Sequence, residues 1–348
     1  MTTIYDVAKA AGVTAATVSH VLSGKKPVSD ATRTRVLKFV EELGYRPNLV
    51  ARSLITQRTR TIGFVVPMIT NPFYAELIEA AERILHREGF RILVTNTQDD
   101  KLLGQELLVD LQARRVDGII MMGGASGLPF ATLNSLVTEG LPVVGCLWDE
   151  EEQMLRTTVG FDYFTGGRLV AEHLLELGHR RIGIIAHGVI GERPQHHLRV
   201  SGFVEALTAA GYPLDLALLL YGDSSAPSGE VAALRLLAFP DPPTAIFATN
   251  DLMAIGILSA AWKLGLCVPH DLSVVGFDDI VLASYMTPPL TTVLMDRIAL
   301  MEKSTQILLD MIEGKHVVSP PLLAPILVVR ASTDHNQRSG SIKPSTAR

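Results

Sequence analysis

Apolar residues in the first sixty positions recur at helical spacing. Ile4, Val7, Ala8 and Ala11 form one inward face of a first helix, and Gly12 ends it with the left-handed conformation a tight turn needs. Thr14 can cap a second helix from about Ala15 to Leu22, with Val18, Val21 and Leu22 inward. Ser29 caps a third, whose stripe is Val36, Leu37, Val40 and Leu43; Gly44 terminates it and the run YRPN breaks the chain. Three short helices with a glycine turn between the first two match the helix-turn-helix pattern, in which the second helix enters the major groove. The plainer alternative is a three-helix cap. After Pro47, Asn48 can cap a short basic helix from Leu49 to about Ile55, too short to be stable in isolation. It reads either as a linker or as a hinge that folds on docking to DNA.

Beyond residue 60 the pattern changes to apolar runs alternating with helical stretches. The runs 61–66, 91–96, 118–122, 142–146, 181–186, 216–221, 245–249 and 273–277 predict strands. Segments such as 72–88, 101–114, 163–177, 198–210 and 250–264 predict helices. Continuously apolar strands, each followed by a helix, imply parallel sheets covered on both faces. Their number suits two sheets. The expected fold is a small all-α head, joined by a hinge helix to an α/β body of two doubly wound parallel-sheet lobes. Ligands of such sheets bind beyond the carboxyl ends of the strands.

Composition modifies this picture in one respect. The net charge of −5 argues against a nucleic-acid partner, but residues 1–60 hold ten Lys/Arg against four acids, +6, which leaves −11 for the remainder. A basic head on an acidic body makes DNA the expected partner of the head. The two cysteines, Cys146 and Cys267, leave no room for a disulfide framework and fit a reducing compartment. The start MTTIYDVAKAAG lacks the pattern of a signal peptide, and no apolar run reaches the roughly 20 residues a membrane span needs. A cytoplasmic protein without a membrane partner is expected.

The runs TIYDVAKAAGVTAATVSHVLSG and VSDATRTRVLKFVEELGYRPNLVARSL resemble the LacI/GalR family of bacterial transcription regulators, and the resemblance extends to about Arg330. It implies a DNA-binding head over 1–46, a hinge over 47–60 and an effector-binding, dimerising body over 61–330. The lobes of that body would be about 61–160 with 291–320, and 161–290 with 321–330. In the head it places Ala15, Ala16 and His20 toward bases and Thr14, Thr17 and Ser19 toward phosphates. In the hinge, Asn48 and Ala51 flank Leu54, the leucine expected to wedge apart a base step in the minor groove. In the body it implies a periplasmic-binding-protein-like cleft lined by Phe73, Trp148, Asp162, Arg193, Arg199, Asn250 and Asp278. From the residues alone, Tyr74 shares the position of Phe73, and Asp162 and Asn250 are equally helix caps. The implied partners are a pseudopalindromic operator in double-stranded DNA, a small-molecule effector and a second copy of the chain.

Three departures from the family pattern bear on specificity. His20 stands where an arginine is common, Leu147 where an acidic residue is common, and Ser224 where an aromatic is common. The operator and the effector do not follow from these residues. No cofactor or enzyme constellation emerges: MMGGASGLPF (121–130) has neither GK[ST] nor GxGxxG, and His196 and His197 lack metal-spaced partners. The rival readings are a solute-binding sensor without DNA function and an enzyme of doubly wound fold. The polar stretch 331–348 reads as a disordered tail without leucine heptads.

Overall fold

Helices α1 (Ile4–Ala11), α2 (Ala15–Ser23) and α3 (Asp30–Glu42) close around Val7, Ala11, Val18, Val21 and Val36. Thr3 and Asp6 form a reciprocal capping box at the start of α1, and Gly12 ends the helix at φ 65°. The stripe expected on α3 is only partly inward. Leu37 and Leu43 are 46% and 39% exposed, and Phe39 packs on the small core instead. A three-helix head is too thin to bury a full stripe from its last helix.

The computed structural model describes residues 2–23, 26–46, 58–123, 130–146, 157–188 and 198–337. The chain divides into two compact units, residues 1–59 and 60–348.

In the second unit, β1 (Thr61–Val66), β2 (Arg91–Asn96), β3 (Gly118–Met122), β4 (Val143–Cys146) and β5 (Thr158–Val159) form a parallel sheet in the order β2-β1-β3-β4-β5. Helices α4 (Pro72–Arg87), α5 (Lys101–Ala113) and α6 (Phe130–Thr138) follow its first, second and third strands. A second parallel sheet runs β7-β6-β8-β9, from β6 (Ile182–His187), β7 (Leu219–Gly222), β8 (Ala245–Ala248) and β9 (Ser273–Val275). Its helices are α7 (Tyr163–Glu176), α8 (Leu198–Ala209), α9 (Ala226–Leu237) and α10 (Asp251–Lys263). Strand order reverses at β1 in one sheet and at β6 in the other, and crevices open at such switch points.

The chain passes between the sheets three times. Phe161 bridges to Leu323, and Asp278 bridges to Leu294. Beyond these crossings lie the antiparallel pair β10 (Thr292–Leu294) and β11 (Ile326–Val328), and α11 (Arg297–Ile312), which packs on α4 and the first sheet.

Two expectations are corrected. Residues 216–218 form a 3-10 turn, not the start of a strand, because the Asp215 side chain accepts from the Ala217 amide and caps it. The tail does not begin at 331. Ser332 is fully buried and donates to the Val274 carbonyl at 2.6 Å, while Asp334 and Asn336 bond His179 and Gly178. Small polar residues escape an apolar-pattern search even when every polar atom finds a partner. Residues 338–348 lie outside the described residues.

Candidate binding cleft and nucleic-acid interface

In the head, Thr14 caps α2 by accepting from the Thr17 amide at 3.2 Å, and the two threonine hydroxyls lie 2.9 Å apart. Ala16 and Ser19 are exposed; Thr17 and His20 are half-buried. Ala15 is half-buried too and packs on the head core. The two alanines therefore differ: Ala16 presents its methyl outward, and Ala15 divides its surface between the core and solvent. Asn48, Ala51 and Leu54 lie outside the described residues, as do Leu147, Trp148 and Arg193.

In the body, the end of β9 and the start of α8 bring two charged side chains together. Asp278, just beyond β9, is 4% exposed and adopts φ 109°, a conformation L side chains rarely take. Arg199, in the first turn of α8, reaches it at 3.7 Å. The Arg199 guanidinium is held over the rings of Tyr163 at 4.3 Å and Phe277 at 4.6 Å. Aromatic faces attract a cation placed over them through the negative face of the ring. The Asp278 Oδ1 atom accepts no hydrogen bond from any described group. Burial pushes the Asp278 carboxyl up to about 7, against the pull of Arg199 and Arg297 and with help from Glu76. Desolvation dominates because a buried carboxylate gives up its water shell.

Asn71 caps α4 by accepting from the Phe73 amide at 3.0 Å. The two neighbouring rings then separate. Phe73 is 3% exposed and sits in the core, edge-on to Tyr74 at 5.6 Å, while Tyr74 is half-buried. Burial, then the negative charge of Asp278, raises the Tyr74 hydroxyl well above its ordinary range; Arg199 opposes and Asp99 adds to the rise. Of the two rings, Tyr74 is the one within electrostatic reach of Asp278 and Arg199.

Asn250 caps α10, accepting from the Met253 amide at 2.8 Å and donating to the Ser224 carbonyl at 3.2 Å. Asp162 caps α7, with both carboxylate oxygens engaged by Thr165. Each therefore has the cap role that its position allowed. His187, unremarked in the sequence, closes the end of β6 and bonds the Ser224 hydroxyl through Nδ1 at 2.7 Å. Asp251 is fully buried, accepting from the Ile280 amide at 2.8 Å and from the Thr292 hydroxyl at 2.6 Å. Its burial, then the nearby Asp278, hold it well above the carboxylate range. Only its adjacency to a cap residue marked it in the sequence.

A helix-turn-helix head followed by two parallel-sheet lobes around a charged crevice defines a DNA-binding regulator with a periplasmic-binding-protein-like sensing body. Comparison with known proteins agrees. The model for bacterial regulatory proteins of the lacI family matches residues 3–48, and that for the periplasmic binding protein-like domain matches residues 171–333. The HTH-type transcriptional repressor PurR of Erwinia tasmaniensis is 38% identical over 334 residues, spanning 95% of this chain and 97% of its own. The repressor CytR of Escherichia coli K12 is 36% identical, with 95% and 96% covered. Among solved structures, the lac repressor dimer bound to operator and the anti-inducer ONPF superposes with a TM-score of 0.83 at 29% identity, covering 96% of this chain and 99% of that one. The complex of the regulator CelR with cellobiose gives 0.69 at 32% identity, with 95% and 100% covered. The chain belongs to the LacI family of bacterial transcription regulators. It is a regulator of transcription and not an enzyme. No helix among the described residues is long and apolar enough to cross a membrane.

Proposed function

We propose that the protein is a cytoplasmic repressor that binds a pseudopalindromic operator as a homodimer and is switched by a small polar effector held between the lobes. The domain plan this uses is the head over 1–46, the hinge over 47–60 and the body over 61–330, with the described tail segment 331–337 added to the body. The observation that carries the effector reading is the Arg199–Asp278 pair, an oriented fork beside a buried carboxylate oxygen that accepts no hydrogen bond from any described group. Together they suit vicinal hydroxyls, of the kind a sugar or nucleoside presents: the guanidinium donates to the oxygens and the carboxylate accepts from them. Tyr74, backed by Phe73, and Trp148 supply walls. Asn250, Asp162 and Arg193 complete the set, the first two from the starts of the helices they cap.

In the head, Ala15, Ala16 and His20 face bases, and Thr14, Thr17 and Ser19 face phosphates. Alanine offers only a methyl, which suits a thymine methyl. Leu54 in the hinge, with Asn48 and Ala51 beside it, supplies the bend.

The test is direct. Deleting residues 1–60 lowers affinity for genomic operator fragments at least about a hundredfold in a gel-shift titration at fixed salt, because the phosphate-neutralising charge and the base contacts both leave. Unchanged duplex affinity of the truncated body would favour a sensor without DNA function. A thermal-shift screen of sugars and nucleosides then identifies the effector, since a ligand bound only by the folded state raises the melting temperature.

The position of Asp278 near 7 gives this binding a pH dependence. A hydroxyl donor is held by the ionised carboxylate, so affinity rises as pH climbs through about 7 and levels off above it. Between pH 6 and pH 8 the expected gain is about tenfold, if only the ionised form binds. Calorimetric titration of the screened effector checks it, and Asp278→Asn should leave a flat, weak profile.

A further inference from the structure

One arginine outside the set of candidate ligand contacts touches both lobes. Arg297 opens α11, the helix that packs on α4 and the first sheet. Its Nε lies 2.9 Å from Glu76 Oε2 on α4. Its two terminal nitrogens donate to the carbonyl oxygens of Asp278, at 2.5 Å, and Asp279, at 2.9 Å, at the end of the second sheet. Glu76 also accepts from the Val281 amide at 3.1 Å. Both side chains of the pair are largely buried, 14% and 21% exposed, and the guanidinium lies 5.9 Å from the Phe73 ring centre.

The turn it grips is strained. Asp278 has φ 109° and Asp279 φ 52°, two successive non-glycine residues in conformations that favour glycine. Such residues persist only where their surroundings over-determine them. Here the Asp278 amide bonds the Val293 carbonyl, and Arg330 pairs with Asp279 at 2.7 Å while donating to the Leu290 carbonyl. Those contacts fix the turn to the crossing segments and to its own side of the crevice. Arg297 and Glu76 are what fix it to the other lobe. A lysine cannot replace this arrangement, because one ammonium on a flexible stem does not span a carboxylate and two carbonyls in a fixed plane.

We infer that Arg297 is a positioning residue: paired with Glu76, it holds the Asp278–Asp279 turn in its strained form and transmits the state of that turn to the facing lobe. This rests on the effector reading of the crevice, since the Asp278 side chain is the one a ligand would touch. The coupling has a physical carrier, one planar guanidinium hydrogen-bonded to both lobes. An effector that pulls on Asp278 therefore loads α4 through Glu76.

Hydrogen–deuterium exchange on the full chain, without any ligand, tests it. Glu76→Gln keeps an acceptor for the Val281 amide but removes the ion pair. It is expected to speed exchange of residues 278–283 about tenfold, although it lies on the other lobe, while β6 and β8 keep their protection. Arg297→Lys should do the same. Asp278→Ser, standing in for a change at the ligand-facing carboxyl, is expected to speed exchange in residues 73–79 about threefold in the wild-type background and not at all beside Glu76→Gln, the signature of a coupled pair in a double-mutant cycle. Unaltered exchange at 278–283 in Glu76→Gln overturns the inference. So does an Asp278→Ser effect that is the same in both backgrounds, or acceleration that spreads equally to β6 and β8. Should Arg297→Lys not fold, the Glu76 variants carry the test. Failure of the effector reading itself would show separately, as ligand binding that survives Arg199→Ala, which these exchange measurements do not use.

Discussion

Replacing Arg199 with alanine is expected to abolish the effector response while operator affinity without effector stays within about threefold of the parent chain, as befits a change confined to the body. The guanidinium lies over two aromatic rings and beside a nearly buried aspartate. On the proposed effector reading, removing it takes away the donors for a ligand, and it also takes away the main counter-charge of Asp278. Where a ligand hydrogen-bonds to the buried fork, truncating that charged partner costs about 2–5 kcal/mol of binding, or roughly thirtyfold to several thousandfold in affinity. Arg199→Lys should recover only part of this, since it restores charge without the planar fork. Titration of the screened effector by calorimetry, with a parallel gel shift on operator DNA, reads both quantities. A response equal to that of the parent chain would remove Arg199 from the site.

The second large effect is on stability and comes from a residue with no side chain. Helices α7 and α8 meet backbone to backbone. A Cβ placed on Gly202 would collide with the carbonyl of Phe164, and one on Gly167 with the carbonyl of Arg199. Neither neighbour is a flexible tip that can swing aside. Gly202→Ala is expected to cost about 3 kcal/mol, the upper range for overpacking, and to lower the melting temperature by roughly 6–10 °C. Gly211 is the control. It has φ 84° but nothing within 4 Å of an added Cβ, so Gly211→Ala suffers backbone strain alone, about 1 kcal/mol. A Gly202 variant that melts no lower than the Gly211 variant would show that the helices separate without cost. Gly167→Ala carries a further consequence, because the carbonyl it displaces belongs to Arg199. It should weaken effector binding as well as the fold.

Much of the architecture could be read from the chain because its signals are local. Continuous apolar runs such as 118–122 mark strands buried on both faces, and these end up as fully buried β3. Cap residues such as Thr14, Ser29 and Asn250 are placed by the three or four amides that follow them, and each accepts from such an amide in the structure. Position within an element is less local. On α3 the apolar period brought forward Leu37, yet Phe39 is the residue that packs inward, because the thin head leaves no partner for the outer half of the stripe.

The crevice divides along the same line. Asp278 was visible as a charged residue at the end of an apolar run, and Arg199 through the resemblance to the family. Arg297 had no such mark. It begins a helix 221 positions from Glu76, and only the crossing of the chain between lobes brings the two within 2.9 Å. Asp251 looked like half of a capping dipeptide, and burial beneath Ile280 and Thr292 was needed to make it a structural acid. Tyr74 and Phe73 differ by one residue and thus by about 100° around their helix. Which of them meets Arg199 and Asp278 depends on how α4 is rotated against its sheet. The class of the protein was legible in the chain: a helical head, a parallel-sheet body and the residues that end its strands. Tertiary structure decided which of those ends converge and what holds them. Periodicity and caps report only a residue's near neighbours along the chain, whereas the Asp278 turn is held by contacts with residues tens to hundreds of positions away.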